Sequence, residues 1–143
     1  MVTMGNQLSS MNKVNFEDIQ WFIKEKKSFL LINTLDVSQQ TCLIRGTLPI
    51  NQEETIINKH IKNKSIRIII YGRNANDESI SKKYQQLVQL GFLNIYIYPG
   101  GLFEWLCLQD IYGVDIFPTT TSLIDILKFK PVSNLRSQNL LEN

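Results

Sequence analysis

Three short apolar runs, Phe29–Asn33, Ile66–Tyr71 and Asn94–Tyr98, constrain the fold of this chain more than any other feature. Each has the length of a single strand. A strand with one wet face alternates apolar and polar side chains, whereas a nearly continuous apolar run is buried on both faces. Between the runs lie stretches of roughly ten residues with helical spacing. Links of that kind carry a chain back across a sheet instead of around a hairpin, so consecutive strands run parallel. The expectation is one three-layer α/β domain with a central, mainly parallel sheet flanked by helices.

The helices have local signals of their own. Asn15 precedes Phe16–Ile23, with Glu17 and Asp18 in the first turn and Lys24, Lys26 and Lys27 at the end, as capping and the helix dipole favour. Asn51 is positioned to cap a second helix through Glu53, Glu54, Ile56, Ile57 and His60. Ile80, Tyr84, Leu87 and Val88 share a helical face that Gly91 terminates. Leu102–Leu108 follows the Pro99-Gly100-Gly101 turn, and a last helix is expected over Ser122–Lys128. Cys42–Ile50 reads as a short strand interrupted at Gly46. These elements place the domain at residues 15–130, between a polar leader (1–14) and a polar tail (131–143).

Composition excludes several classes. At 43% hydrophobic and 20% charged the chain is ordinary globular material, and a net charge of +2 is too small to argue for nucleic acid. Two cysteines, Cys42 and Cys107, make no disulfide framework, and with the single histidine, His60, they offer no zinc spacing. No metal or cofactor is expected. No apolar run is long enough to span a bilayer, so the expectation is a soluble intracellular protein.

The turn Gly72-Arg73-Asn74-Ala75-Asn76-Asp77 follows the strongest strand and leads into a helix, the place where open α/β proteins keep their chemistry. It holds no Cys, Ser, Thr or His. Two readings stand side by side. In the first, the loop Gly72, Arg73, Asn74, Ala75 and Asn76 is an anion or peptide pocket, Arg73 supplying charge and Asn74 and Asn76 hydrogen bonds. Alternatively, Asn and Gly serve only the geometry of a tight turn, and Asp77 and Glu78 oppose an anion.

Several landmarks, in order, resemble those of the rhodanese-like domain family. Leu31-Ile32-Asn33 stands where that family has its LID strand, with Asn33 in place of the acid. Leu43-Ile44-Arg45-Gly46-Thr47 resembles its HIxGA turn, and Ile69-Ile70-Tyr71 the strand before its active loop. Gly91-Phe92-Leu93-Asn94-Ile95-Tyr96 is similar to GFxNVY, and Gly100-Gly101 with Trp105 to GGxxxW. The resemblance spans about residues 15–117 and implies a rhodanese-like fold. It also implies sulfur transfer through a loop cysteine that becomes a persulfide, its negative charge stabilised by backbone amides. The related dual-specificity phosphatases bind phosphate with a slightly longer loop. Here the loop is about two residues longer than usual for a rhodanese. Aligned from the strand, the nucleophile falls at Gly72; aligned from the helix, at Asn74 or Ala75. None is cysteine.

What the resemblance then implies is a non-catalytic binding or structural module working with other proteins in a larger assembly, such as a cytoskeletal or ciliary one. The alternative is a sulfurtransferase or phosphatase-like enzyme using another thiol such as Cys107. Its apolar neighbours Leu106 and Leu108 argue instead for a buried, unreactive group. Cys42 precedes the Leu43–Thr47 turn, on the wrong part of the fold. His60, within the basic stretch Lys59–Lys64, reads as a solvated helix end. Phe103, Tyr112 and Phe117 are candidates for an exposed aromatic patch. Gly5, in Met4-Gly5-Asn6-Gln7-Leu8-Ser9, fits an N-myristoylation pattern that operates only if synthesis begins at Met4 or processing exposes Gly5. A membrane contact is expected only in that case.

Overall fold

The computed structural model describes residues 11–25 and 29–136. Gly5, Lys26, Lys27 and the tail beyond residue 136 lie outside the described residues. The elements run α1 (Phe16–Glu25), β1 (Phe29–Asn33), α2 (Ile50–Lys59), β2 (Arg67–Tyr71), α3 (Ser79–Gln89), β3 (Asn94–Tyr98) and α4 (Gly101–Tyr112). Short 3-10 turns occur at Val37–Gln39 and Ile126–Phe129.

The three strands form one sheet in the order β1-β2-β3, parallel throughout. Alternate side chains divide the core in two. Leu31, Ile69, Tyr71 and Tyr98 face Ile19 and Phe22 of α1 and Leu102, Trp105 and Leu106 of α4. Leu30, Ile32, Ile68, Ile70, Ile95 and Ile97 face Ile57 of α2 and Ile80 and Leu87 of α3. Burial on both faces is why the strands read as apolar runs. Asn15 caps α1 as expected: its Oδ1 accepts the amides of Glu17 (2.9 Å) and Asp18 (3.2 Å), and Asp18 returns a bond to the Asn15 amide (3.0 Å).

Several expectations need correction. Cys42–Ile50 is not a strand. Gly46, at φ +95°, turns the chain, leaving isolated bridges from Ile44 to Thr119 and from Leu31 to Thr47. Ile50 already belongs to α2, whose cap position is Pro49 and not Asn51, since proline has a helix-ready φ and no amide to satisfy. The turn is pinned by Tyr71, whose hydroxyl accepts the Ile44 amide (3.2 Å) and bonds the Thr47 hydroxyl (2.7 Å). Burial pushes that phenol's pKa up.

The domain also starts before residue 15. Met11 is buried, Ile97 donates to Asn12 O (2.8 Å), and Val14 donates to Ile97 O (2.8 Å), so residues 11–14 pair with β3. Ser122–Lys128 is not an α-helix. Only Ile126–Phe129 is helical, as a 3-10 turn, with Phe129 and the partly buried Leu123 and Ile126 turned inward while Ile124 and Leu127 face solvent. Val88 is exposed, outside the buried face of α3. Of the three aromatic candidates Tyr112 is exposed, Phe117 is buried and Phe103 partly so, and Ile111, Val114 and Ile116 near Tyr112 in the chain are exposed as well. Among the described residues, no helix is long and apolar enough to cross a membrane.

Because β2 is central and both its faces are covered, Ile69→Ala should destabilise the domain by about 2–5 kcal/mol. Urea unfolding followed by far-UV circular dichroism would measure the change.

Candidate functional site

The candidate site is the turn joining β2 to α3, at the carboxyl ends of the strands. Its backbone is held from one side by α4. Leu102 and Phe103 donate their amides to Gly72 O (2.9 Å) and Arg73 O (2.8 Å), so the first turn of α4 spends these donors on the loop. Gly101 makes the approach feasible. It adopts φ +65°, and a Cβ there would lie 2.6 Å from Gly72 O and 3.0 Å from Asn74 N. The Gly100-Gly101 pair therefore acts by close packing of a helix end on the loop.

Inside the turn, the donors converge on Asp77. Its Oδ2 accepts the Arg73 amide (2.9 Å), and its Oδ1 accepts the Ser79 amide (3.0 Å) and the Ser79 hydroxyl (2.6 Å). The Ser79 hydroxyl in turn contacts the Thr34 hydroxyl at 2.7 Å, linking the loop to the end of β1. A Cβ placed on Gly72 would fall 2.5 Å from Asp77 Oδ2 and 2.8 Å from its Cγ. The carboxylate thus fills the space into which any side chain at position 72 would project. Asp77 was legible in the sequence as a negative charge at the mouth, but not as the loop's internal acceptor. Ser79, missed there, carried one signal: an Asp two residues ahead of it at a helix start, the Asx capping arrangement.

The other loop residues divide. Asn74 is buried; its Oδ1 accepts the Asn76 amide (2.9 Å) and its Nδ2 donates to Phe129 O (2.9 Å). Arg73 donates from Nη2 to Lys128 O (3.0 Å), while its Nε is buried without a hydrogen-bond partner. Ala75 and Asn76 are exposed. Over the turn lies a hollow of about 360 Å³ that brings Arg73, Asn76, Asp77 and Glu78 together with Lys130, Val132 and Asn134. The structure gathers Arg73, Asn74 and Asn76 at one hollow and adds a C-terminal wall the sequence did not announce. Asn33 is buried beside this end of the sheet and exchanges amide hydrogen bonds with Gln40 (2.8 and 3.1 Å). A neutral amide suits that neutral partner.

The thiols and the histidine lie apart from the hollow's lining. Cys42 is buried with Sγ 3.3 Å from Thr121 O. Cys107 is half-buried, less enclosed than its neighbours implied, and burial followed by the carboxylates of Asp110 and Glu104 pushes its pKa up. The His60 ring bonds Ile56 O through Nδ1 (2.8 Å) at the end of α2. Tyr98, buried near Glu104, has its phenol pKa raised by burial first and by that carboxylate second. Among the described residues, no group of three or more His, Cys, Asp or Glu could hold a metal ion.

Asp77→Ala removes an acceptor from three donors and should cost about 1–2 kcal/mol of stability, read by urea unfolding. A raised pKa leaves less thiolate at neutral pH, so Cys107 should alkylate more slowly than free cysteine at pH 7 and catch up as pH rises. Iodoacetamide labelling followed by peptide mass spectrometry measures this.

The family model for a rhodanese-like domain matches residues 26–107, more than half of the chain. Among solved structures, a Bacillus halodurans protein is 19% identical, covers 91% of this chain and 90% of its own, and superposes with a TM-score of 0.61. A rhodanese-like domain from Anabaena is 23% identical, with 85% and 86% covered and a TM-score of 0.54. A yeast protein tyrosine phosphatase of the rhodanese family is 12% identical, with 80% and 95% covered and a TM-score of 0.57. At these identities the likeness is one of fold. No curated protein matches the sequence. With a matched segment running from just before β1 into α4, the chain belongs to the rhodanese-like domain family.

Proposed function

We propose that this rhodanese-like domain is non-catalytic and works as a binding module for another protein within a larger assembly. The observation that carries this reading is the position of Asp77. Persulfide or phosphate chemistry at such a loop needs a thiolate at its mouth and free backbone amides to receive negative charge. In this chain the space beside Gly72 is taken by a carboxylate, and the Arg73 and Ser79 amides are already bonded to it. An anionic substrate would have to displace Asp77 while facing Glu78 in the same hollow. Like charges at that separation oppose binding.

The thiols support the same reading. Group transfer from sulfur requires a nucleophile with a lowered pKa, whereas the Cys107 thiol is raised by burial, Asp110 and Glu104. A role in protein contact is supported by Ile111, Tyr112, Val114 and Ile116, all exposed along the stretch where α4 ends and the chain leaves it. Apolar groups gathered at one surface site are common at protein interfaces.

Purified protein should show no thiosulfate:cyanide sulfurtransferase turnover and no phosphate-ester hydrolysis above buffer. Turnover that disappears in Cys107→Ala would overturn the reading.

A further inference from the structure

The wall over the candidate loop is a segment of the same chain 55 residues downstream, and it is held as a peptide is held. Two loop side chains grip two successive main-chain carbonyls: Arg73 Nη2 bonds Lys128 O and Asn74 Nδ2 bonds Phe129 O. Between them a single aromatic side chain is anchored. Phe129 is 2% exposed and joins the core cluster that contains Leu102 and Trp105. Main-chain bonds for affinity and a pocketed side chain for specificity are the means by which folded domains recognise peptides.

Besides Phe129, only Leu123 and Ile126 pack against the core, each partly buried, and the remaining large apolar side chains of the segment are exposed. Ile124 is 99% exposed, Leu127 62%, Val132 76% and Leu135 76%. Its own backbone bonds are local, from Lys128 to Asp125 O (3.3 Å) and from Lys130 to Leu127 O (3.1 Å). A segment with few buried contacts opens at lower free energy than a core strand. The fit also leaves a donor unused, since Arg73 Nε is buried without an acceptor. Such a group is costly to leave unpaired, so a ligand that meets it gains over the resident segment.

We propose that residues 126–132 form a strap that acts as an intramolecular ligand in a peptide-binding site made by Arg73, Asn74 and the Phe129 socket. A partner peptide with an aromatic residue flanked by basic ones takes its place in trans. The basic flanks follow from Lys128 and Lys130, the latter lining the same hollow as Asp77 and Glu78. This rests on the binding-module reading above and names the partner's chemistry. The strap lowers apparent affinity for that partner by the fraction of time it is seated.

Amide hydrogen exchange on the full chain, with peptide titration, tests this independently of any catalytic assay. In the unaltered chain the Lys130 amide should exchange through a local opening insensitive to mild denaturant, while Ile69 and Ile70 exchange only with global unfolding. Replacing both Arg73 and Asn74 by Ala should speed Lys130 exchange roughly tenfold, and Ile69 and Ile70 by no more than that factor, because the lost bonds exist only in the seated state, with Lys130 still exchanging far faster than either. A labelled synthetic peptide of residues 122–136 should bind Phe129→Ala at least about fivefold more tightly than the unaltered chain, with no binding by the same peptide carrying Phe129→Ala. Exchange of Lys130 in the unaltered chain at the same opening free energy and with the same denaturant dependence as Ile69 would make the strap part of the core and overturn the proposal. So would failure of the labelled peptide to bind Phe129→Ala.

Discussion

Two backbone hydrogen bonds, from Leu102 and Phe103 to the carbonyls of Gly72 and Arg73, tie the end of β2 to the start of α4, and the rest of the site depends on them. They fix the Gly72 carbonyl on one side, so the Arg73 amide of the same peptide unit turns to the other. There it meets Asp77, which the start of α3 brings back over Gly72. Only a residue without a side chain fits at position 72 beneath that carboxylate, and only glycine tolerates both the φ and the crowding at 101. Loop, helix start and carboxylate therefore form one mutually required arrangement.

The chemical consequence is that the Arg73, Asn76 and Asp77 amides of the turn are already bonded within the chain. Oxyanion and persulfide chemistry draw on unspent donors in a water-poor pocket. The loop's principal donors are bonded to Asp77, Lys128 O and Phe129 O. What remains at the loop is shape, a guanidinium nitrogen without an acceptor and a charged rim.

Legibility varied with the physics of each element. The three strands were plain because burial on both faces leaves a local imprint, and α1 was plain because Asn15, Glu17 and Asp18 cap it within one turn. Residues 11–14 and 42–50 were misread because their pairing is with distant backbone: Asn12 and Val14 with Ile97, Ile44 with Thr119. Polar composition neither encodes nor forbids such bonds. In the site, Gly72, Arg73, Asn74 and Asn76 were found from their place after a strand, but the buried orientation of Asn74 and the seating of Arg73 were not. Both depend on Lys128 and Phe129, which no local pattern connects to the loop.

The sequence by itself determined the layered α/β plan, the parallel order implied by crossover lengths, the family resemblance and the absence of a thiol between Gly72 and Asp77. Those properties reside in periodicity, spacing and residue identity, each readable within a dozen positions. Only the tertiary structure decided that Asp77 occupies the loop, that α4 closes on it through Gly101, and that a segment far downstream roofs it. These are contacts between groups distant in sequence or folded back on themselves. Their geometry combines local devices, the Asp77–Ser79 bonds and the positive φ of Gly101, with bonds to Lys128 and Phe129 that no local pattern encodes.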